Sequence, residues 1–139
     1  MIAYVDSSVV LRLLLREPNA LREWPRLERG VTSALTEVEV LRTLDRIRLA
    51  ESRPEAGLIA LRQCAFALLT ALDIVELSAP ILRRAGDPFP TLLRTLHALH
   101  LATAMAWRDH RAQPDLRFAT HDLSQAAGAR AVGFEVVGA

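Results

Sequence analysis

Three acidic residues of this chain, Asp6, Glu39 and Asp122, have mainly apolar neighbours in the sequence. Carboxylates are uncommon in such segments unless they have a structural or chemical role. Asp6 follows the apolar run 2–5, and Asp122 follows a second, largely apolar run at 116–120. If both runs are strands of an open parallel sheet, both acids project at its carboxyl edge, where such sheets bind ligands. Carboxylates held close together repel one another unless a proton or a hard cation lies between them. The pattern therefore indicates a candidate metal pocket.

Mg²⁺ and Mn²⁺ are the ions that such a pocket would suit, because both prefer oxygen ligands in octahedral geometry. An ion of this kind polarises the phosphoryl oxygens of a phosphodiester and lowers the pKa of the attacking water. We therefore interpret Asp6, Glu39 and Asp122 as metal ligands, with no covalent nucleophile among them. Ser8 and Thr120 are close enough in sequence to orient a carboxylate from behind.

Each of these residues also has a purely structural interpretation. Asp6 and Asp122 each precede a predicted helix and could serve as its N-cap. Glu39 has apolar neighbours but could pair with Arg42, one helical turn further on. The pair His97 and His100, three residues apart on one predicted helix, could bind a transition metal, although we expect His100 to be a packed, hydrogen-bonded core residue.

Composition predicts one ordinary globular domain spanning residues 1–139, since the chain is 51% hydrophobic and 24% charged. The net charge is only +1, so any nucleic-acid-binding surface must be local, and all 17 basic residues are arginine.

Cys64 is expected to be a buried structural thiol, and a single cysteine fits a reducing cytoplasm. No apolar stretch approaches the roughly 20 residues that span a bilayer, so we expect a cytoplasmic protein without membrane contact.

Short apolar runs alternate with segments of helical period, which is typical of an α/β fold with a parallel sheet covered on both faces. The predicted strands are 2–5, 31–33, 74–77, 116–120 and 134–137. The predicted helices are 9–14, a weaker one at 20–28, one from Val38 to Leu49 that carries Glu39, 52–72, 79–85, a long one to Asp109 capped by Thr91, and 123–130.

Four segments in this order resemble the PIN domain, and in particular the VapC-type ribonuclease toxins of bacterial toxin–antitoxin pairs. They are YVDSS at 4–8, TSALTEVEVLR at 32–42, LRTLHALHLATA at 93–104 and FATHD at 118–122. Each is weak alone, but together they extend over essentially the whole chain.

The resemblance implies a three-layer α/β/α sandwich with a central parallel sheet and an acidic pocket at its carboxyl edge. It implies Mg²⁺- or Mn²⁺-dependent cleavage of RNA, often tRNA or rRNA, a homodimer, and silencing by a small VapB-type antitoxin. Asp6, Glu39 and Asp122 match the acidic ligands of the family, whereas Glu37 does not and is assigned to the surface.

One position departs from the family pattern, because His97 stands where the family has aspartate. Imidazole offers one neutral nitrogen in place of an anionic oxygen, and it suits softer ions than Mg²⁺. We therefore predict a weakened nuclease or one that prefers Mn²⁺.

Other functions remain open at the level of the sequence. A toxin-like domain that binds antitoxin or RNA without cutting is compatible with His97. A phospho-acceptor domain or an aspartate-nucleophile phosphatase would also have an acid after a strand. Both ordinarily need a lysine, which this chain lacks, and Ser8 stands where the phosphatase needs a second acid. The absence of G-x-G-x-x-G and P-loop motifs disfavours a nucleotide-binding fold.

Overall fold

The computed structural model describes residues 1–139 and has a five-stranded sheet at its centre. All strands are parallel, and their order across the sheet is β3-β2-β1-β4-β5. The strands are β1 (Ile2–Val5), β2 (Arg29–Ser33), β3 (Asp73–Val75), β4 (Arg117–Ala119) and β5 (Val136–Val137). Because they all run in one direction, their carboxyl ends form a single edge.

Six α-helices connect and cover these strands. They are α1 (Ser7–Leu14), α2 (Ala34–Ala50), α3 (Glu55–Thr70), α4 (Ala79–Ala85), α5 (Thr95–Arg111) and α6 (Leu123–Ala131). Three begin at or soon after the end of a strand with an oxygen-bearing side chain that caps the helix, namely Asp6 for α1, Ser33 for α2 and Asp122 for α6. These caps satisfy backbone N–H groups that the first turn of a helix otherwise leaves unpaired.

The helices form two layers because alternate residues of a strand face opposite sides of the sheet. On one side Ala3 and Val5 pack in a core with Val9, Val40 and Leu69 of α1, α2 and α3. On the other side Tyr4, Val31 and Phe118 pack in a second core with Leu101 of α5 and Ala129 of α6. The predicted α/β/α sandwich with a central parallel sheet is confirmed.

The sheet has a topological switch point between β1 and β4. From β1 the chain proceeds outward through β2 to β3, then returns across the sheet to place β4 on the other side of β1. The helices that leave β1 and β4 therefore diverge, and a crevice opens at the carboxyl ends of these two strands. Asp6 and Asp122 lie at this crevice.

The structure corrects three predictions. The helix expected at 20–28 is only a short 3-10 turn at Trp24–Arg26, because Pro25 interrupts the segment and β2 already begins at Arg29. Thr91 does not cap the long helix, which begins at Thr95 after Arg94 without a side-chain cap. Cys64, expected to be buried, is exposed on α3.

None of the helices combines the length and apolar character that crossing a membrane would need.

Candidate active site

Asp6 lies at the carboxyl end of the central strand and is almost fully buried, with 4% of the residue exposed. Its backbone N–H donates to the carbonyl of Ala119 at 2.9 Å, which continues the pairing of β1 with β4. Its Oδ2 accepts hydrogen bonds from Ser8 Oγ at 2.6 Å and from Thr120 Oγ1 at 3.0 Å. The two hydroxyls therefore fix one carboxylate oxygen and leave Oδ1 directed elsewhere.

Asp122 is tied to the same cluster through Thr120. The backbone N–H of Asp122 donates to Thr120 Oγ1 at 3.0 Å, while its own Oδ1 accepts from the backbone N–H of Gln125 at 2.8 Å. The second carboxylate oxygen, Oδ2, accepts no hydrogen bond, and the side chain is 41% exposed. Asp122 thus caps α6 with one oxygen and offers the other to the crevice.

Glu39 reaches the crevice from α2 and is held by a histidine from the opposite helical layer. His100 on α5 is 1% exposed, and its Nε2 lies 2.6 Å from Glu39 Oε2 and 3.7 Å from Asp6 Oδ1. Its other ring nitrogen, Nδ1, lies 2.7 Å from the hydroxyl of Tyr4 on β1. Two carboxylates that are distant in sequence therefore face the same imidazole nitrogen.

Burial and the negative charges of this cluster shift the pKa of two neighbouring residues, His100 and Tyr4. Burial lowers the pKa of His100, but the hydrogen bond to Glu39 and the negative charges of Asp6 and Glu39 outweigh it, so the pKa is raised above 6.5. Burial, followed by the same two charges, raises the pKa of Tyr4 well above 10.0. The Tyr4 hydroxyl therefore keeps its proton at neutral pH.

His97 lies beside Asp122 at the first turn of α5. Its Nε2 is 3.8 Å from Asp122 Oδ2, which is too long for a hydrogen bond but close enough for charge interaction if the ring is protonated. Its Nδ1 is buried without a partner. The buried amide of Gln125 donates to the backbone carbonyl of His97 at 3.2 Å and so ties α6 to the start of α5.

The structure thus brings all the predicted site residues, from Asp6 to Asp122, to one edge of the sheet. Arg42, proposed as an alternative partner of Glu39, pairs with Asp45 instead at 3.0 Å. Asp6 and Asp122 are indeed helix caps as well, so capping and a role in the crevice are not alternatives.

The chemistry of the donor set fits a hard divalent cation, although the spacing is wider than a ligand sphere. Asp6, Glu39 and Asp122 each have one oxygen that accepts no hydrogen bond, and carboxylate oxygens are the preferred ligands of Mg²⁺ and Mn²⁺. No three His, Cys, Asp or Glu side chains are grouped closely enough to hold an ion as the side chains now stand. An ion held by all three would therefore require at least one of these side chains to move.

Comparisons with known proteins identify the family of this chain. The family model described as PIN domain matches residues 3–137. The chain belongs to the PIN-domain family. A Mycobacterium tuberculosis protein named Ribonuclease VapC46 is 37% identical over 138 residues, which cover 96% of this chain and 95% of the relative.

Two solved structures resemble this PIN domain in fold. VapBC2 from Rickettsia felis bound to a DNA fragment from its promoter has a TM-score of 0.69 at 12% identity, covering 98% of this chain and 97% of the other. A toxin–antitoxin complex from Klebsiella pneumoniae has a TM-score of 0.63 at 21% identity, covering 97% and 95%. At these identities the likeness concerns the fold alone.

Sequence reasoning missed three contacts of this PIN domain. The sequence pattern predicts His100 as a packed, hydrogen-bonded core residue, which agrees with its 1% exposure, but it does not identify Glu39 as the partner. The pattern predicts Tyr4 only as part of a strand, and nothing in it distinguishes Gln125.

The two functions of Asp122 can be separated by substitution. Asp122→Asn keeps a side-chain oxygen for the N–H of Gln125, so we expect the free energy of unfolding to change little. Asp122→Ala removes the cap and should lower it by ~1 kcal/mol. Urea denaturation in chelator measures both. Equal losses in the two variants would contradict a capping role.

The pH dependence of stability follows from the raised pKa of His100. In the unfolded chain histidine titrates near 6.5, so the stabilisation is fully present below that pH and is lost as the pH rises through the higher folded-state value. We expect the free energy of unfolding in chelator to fall over this interval for the wild type. His100→Leu should remove this dependence, whereas His110→Leu at the exposed end of α5 should keep it. A wild type without any loss above pH 6.5 would contradict the assignment.

Proposed function

We propose that this PIN domain is a divalent-metal-dependent endoribonuclease and the toxin of a toxin–antitoxin pair. The observation that supports this most directly is the convergence of Asp6, Glu39 and Asp122 at the switch point of the sheet, in a chain related along 96% of its length to a protein named as a ribonuclease. A pocket of anionic oxygens beside a crevice suits a metal-assisted reaction at a phosphodiester.

The ligands in this proposal are Asp6, Glu39 and Asp122, and the ion is Mg²⁺ or Mn²⁺. Such an ion supplies charge stabilisation at the phosphoryl group and lowers the pKa of the attacking water. Ser8 and Thr120 donate to Asp6 Oδ2 and so keep Oδ1 directed towards the crevice. Since Thr120 also accepts from the backbone of Asp122, one hydroxyl sets the relative position of two carboxylates.

The partners follow from the same proposal. The substrate is RNA, with tRNA or rRNA as the first candidates, and a VapB-type antitoxin silences the enzyme. The resemblance of the fold to the R. felis VapBC2 and K. pneumoniae complexes supports an antitoxin partner. A homodimer, a cytoplasmic location and a single functional domain across residues 1–139 belong to the same proposal.

A second candidate function rests on position 97. Because His97 brings no negative charge beside Asp122, the ion would be held by three carboxylates instead of four. A domain that binds antitoxin or RNA without cleaving it would follow if three do not suffice.

RNA cleavage by variants tests the three carboxylates. We expect the wild type to cleave tRNA or rRNA in Mn²⁺ and to be inactive in chelator. Asp6→Asn, Glu39→Gln and Asp122→Asn should each reduce the rate roughly 100-fold or more, since charge stabilisation at the phosphoryl group is worth several kcal/mol. Mapping of RNA 5′ ends measures the cleavage.

Glu37→Gln, two residues before Glu39 on the same helix, is the matched control and should cleave at the wild-type rate. Cleavage retained by all three acidic variants would place the active site elsewhere. A wild type that binds RNA but does not cut it in either metal would favour the second candidate function.

The substitution His97→Asp tests position 97. A carboxylate there adds an anionic oxygen next to Asp122, so the Mg²⁺-dependent rate should rise ~10-fold or more, the lower end of what a supporting group at a metal site contributes. The preference for Mn²⁺ should decrease. Without metal, the added repulsion should lower the melting temperature.

His110→Asp makes the same chemical change on the exposed end of α5 and controls for general charge effects. Equal rates for the wild type and His97→Asp in both metals would show that residue 97 does not govern the chemistry.

A further inference from the structure

We infer that His100 is a positioning residue that holds Glu39 in the orientation in which it binds the metal, and that Tyr4 in turn holds His100. This inference rests on the proposed function, since it concerns the same carboxylate cluster. The chain of contacts runs from β1 through α5 to α2, with Tyr4 Oη 2.7 Å from His100 Nδ1 and His100 Nε2 2.6 Å from Glu39 Oε2.

The direction of the hydrogen bonds follows from the chemistry of the groups. An ionised carboxylate only accepts, so the Nε2–H of His100 must donate to Glu39. In the neutral ring Nδ1 is then an acceptor, and the Tyr4 hydroxyl donates to it. Both ring nitrogens are therefore engaged, and the imidazole cannot rotate without breaking a buried hydrogen bond.

Glu39 depends on His100 for its side-chain hydrogen bonding. Its only side-chain hydrogen bond is the one to His100. Arg42, one helical turn further on, is hydrogen-bonded to Asp45 and not to Glu39. The side chain is long, 20% exposed and free to adopt other rotamers if that bond is lost. By fixing Oε2, His100 leaves Oε1 as the oxygen available to an ion.

His100 also reduces the repulsion between two of the carboxylates. Its Nε2 lies 2.6 Å from Glu39 Oε2, to which it is hydrogen-bonded, and 3.7 Å from Asp6 Oδ1, so both carboxylates face the same nitrogen. A hydrogen-bond donor that faces two anions reduces the cost of keeping them close before any ion arrives, which pre-organises the site. Ligating carboxylates are commonly supported in this way, and loss of the support weakens metal binding ~10–100-fold.

The test is Mn²⁺ binding by the full chain, measured by isothermal titration calorimetry without RNA. His100→Leu removes the donor and should weaken binding ~10–100-fold. His100→Gln is the rescue variant, because its amide N–H corresponds in position to Nε2, and it should bind within a few-fold of the wild type. His100→Asn is too short to reach Glu39 and should behave like His100→Leu. His110→Leu is the control and should bind normally.

A double-mutant cycle shows whether His100 acts through Glu39. In the Glu39→Gln background, His100→Leu should have little further effect on the Mn²⁺ affinity. A purely structural role would give the same fold-loss in both backgrounds, with no rescue by glutamine, and would overturn the inference. If His100→Leu does not fold, the comparison of His100→Gln with His100→Asn decides in the same way.

The outcomes separate this inference from the proposed function. Unchanged Mn²⁺ affinity in His100→Leu and His100→Asn, together with RNA cleavage by the wild type, would overturn only the positioning role. No Mn²⁺ binding by the wild type would overturn both.

Discussion

Negative charge gathered in a small, partly dehydrated space is the constraint on which this site depends. Asp6 is 4% exposed, and a buried carboxylate is costly unless hydrogen bonds or an opposite charge compensate for the lost water. Ser8 of α1, Thr120 of the loop after β4 and His100 of α5 provide that compensation. Glu39 adds a second negative charge, and the same imidazole faces both.

The parallel sheet explains why these groups meet at all. With strand order β3-β2-β1-β4-β5, the chain changes direction beside β1, so the segments that follow β1 and β4 border one crevice. Asp6 and Asp122 use one oxygen to begin a helix and keep the other for the crevice. The local requirement for an N-cap and the requirement for a carboxylate at the site are therefore met by the same residues.

Much of this arrangement could be predicted from local patterns. The strand at 2–5 and the helix at 79–85 were predicted with the bounds that the structure has, because apolar runs and helical periods are local signals. Predictions failed where the local sequence pattern favoured one structure and an adjacent residue or element imposed another. The helix expected at 20–28 does not form, because Pro25 interrupts it and β2 already begins at Arg29. The long helix begins at Thr95, four residues after its predicted cap Thr91. The apolar stretch around Cys64 suggested burial, yet α3 leaves that thiol on its outer side.

The sequence by itself determined the class of fold and the family, and it indicated the three carboxylates proposed as ligands, because strand ends and family motifs are continuous stretches of a few residues. Only the tertiary structure decided how those carboxylates are held. Tyr4 and His100 are 96 residues apart, and His100 and Glu39 are 61 apart, so no spacing in the chain relates them. Their contact exists because a strand and two helices from opposite layers converge at one edge of the sheet.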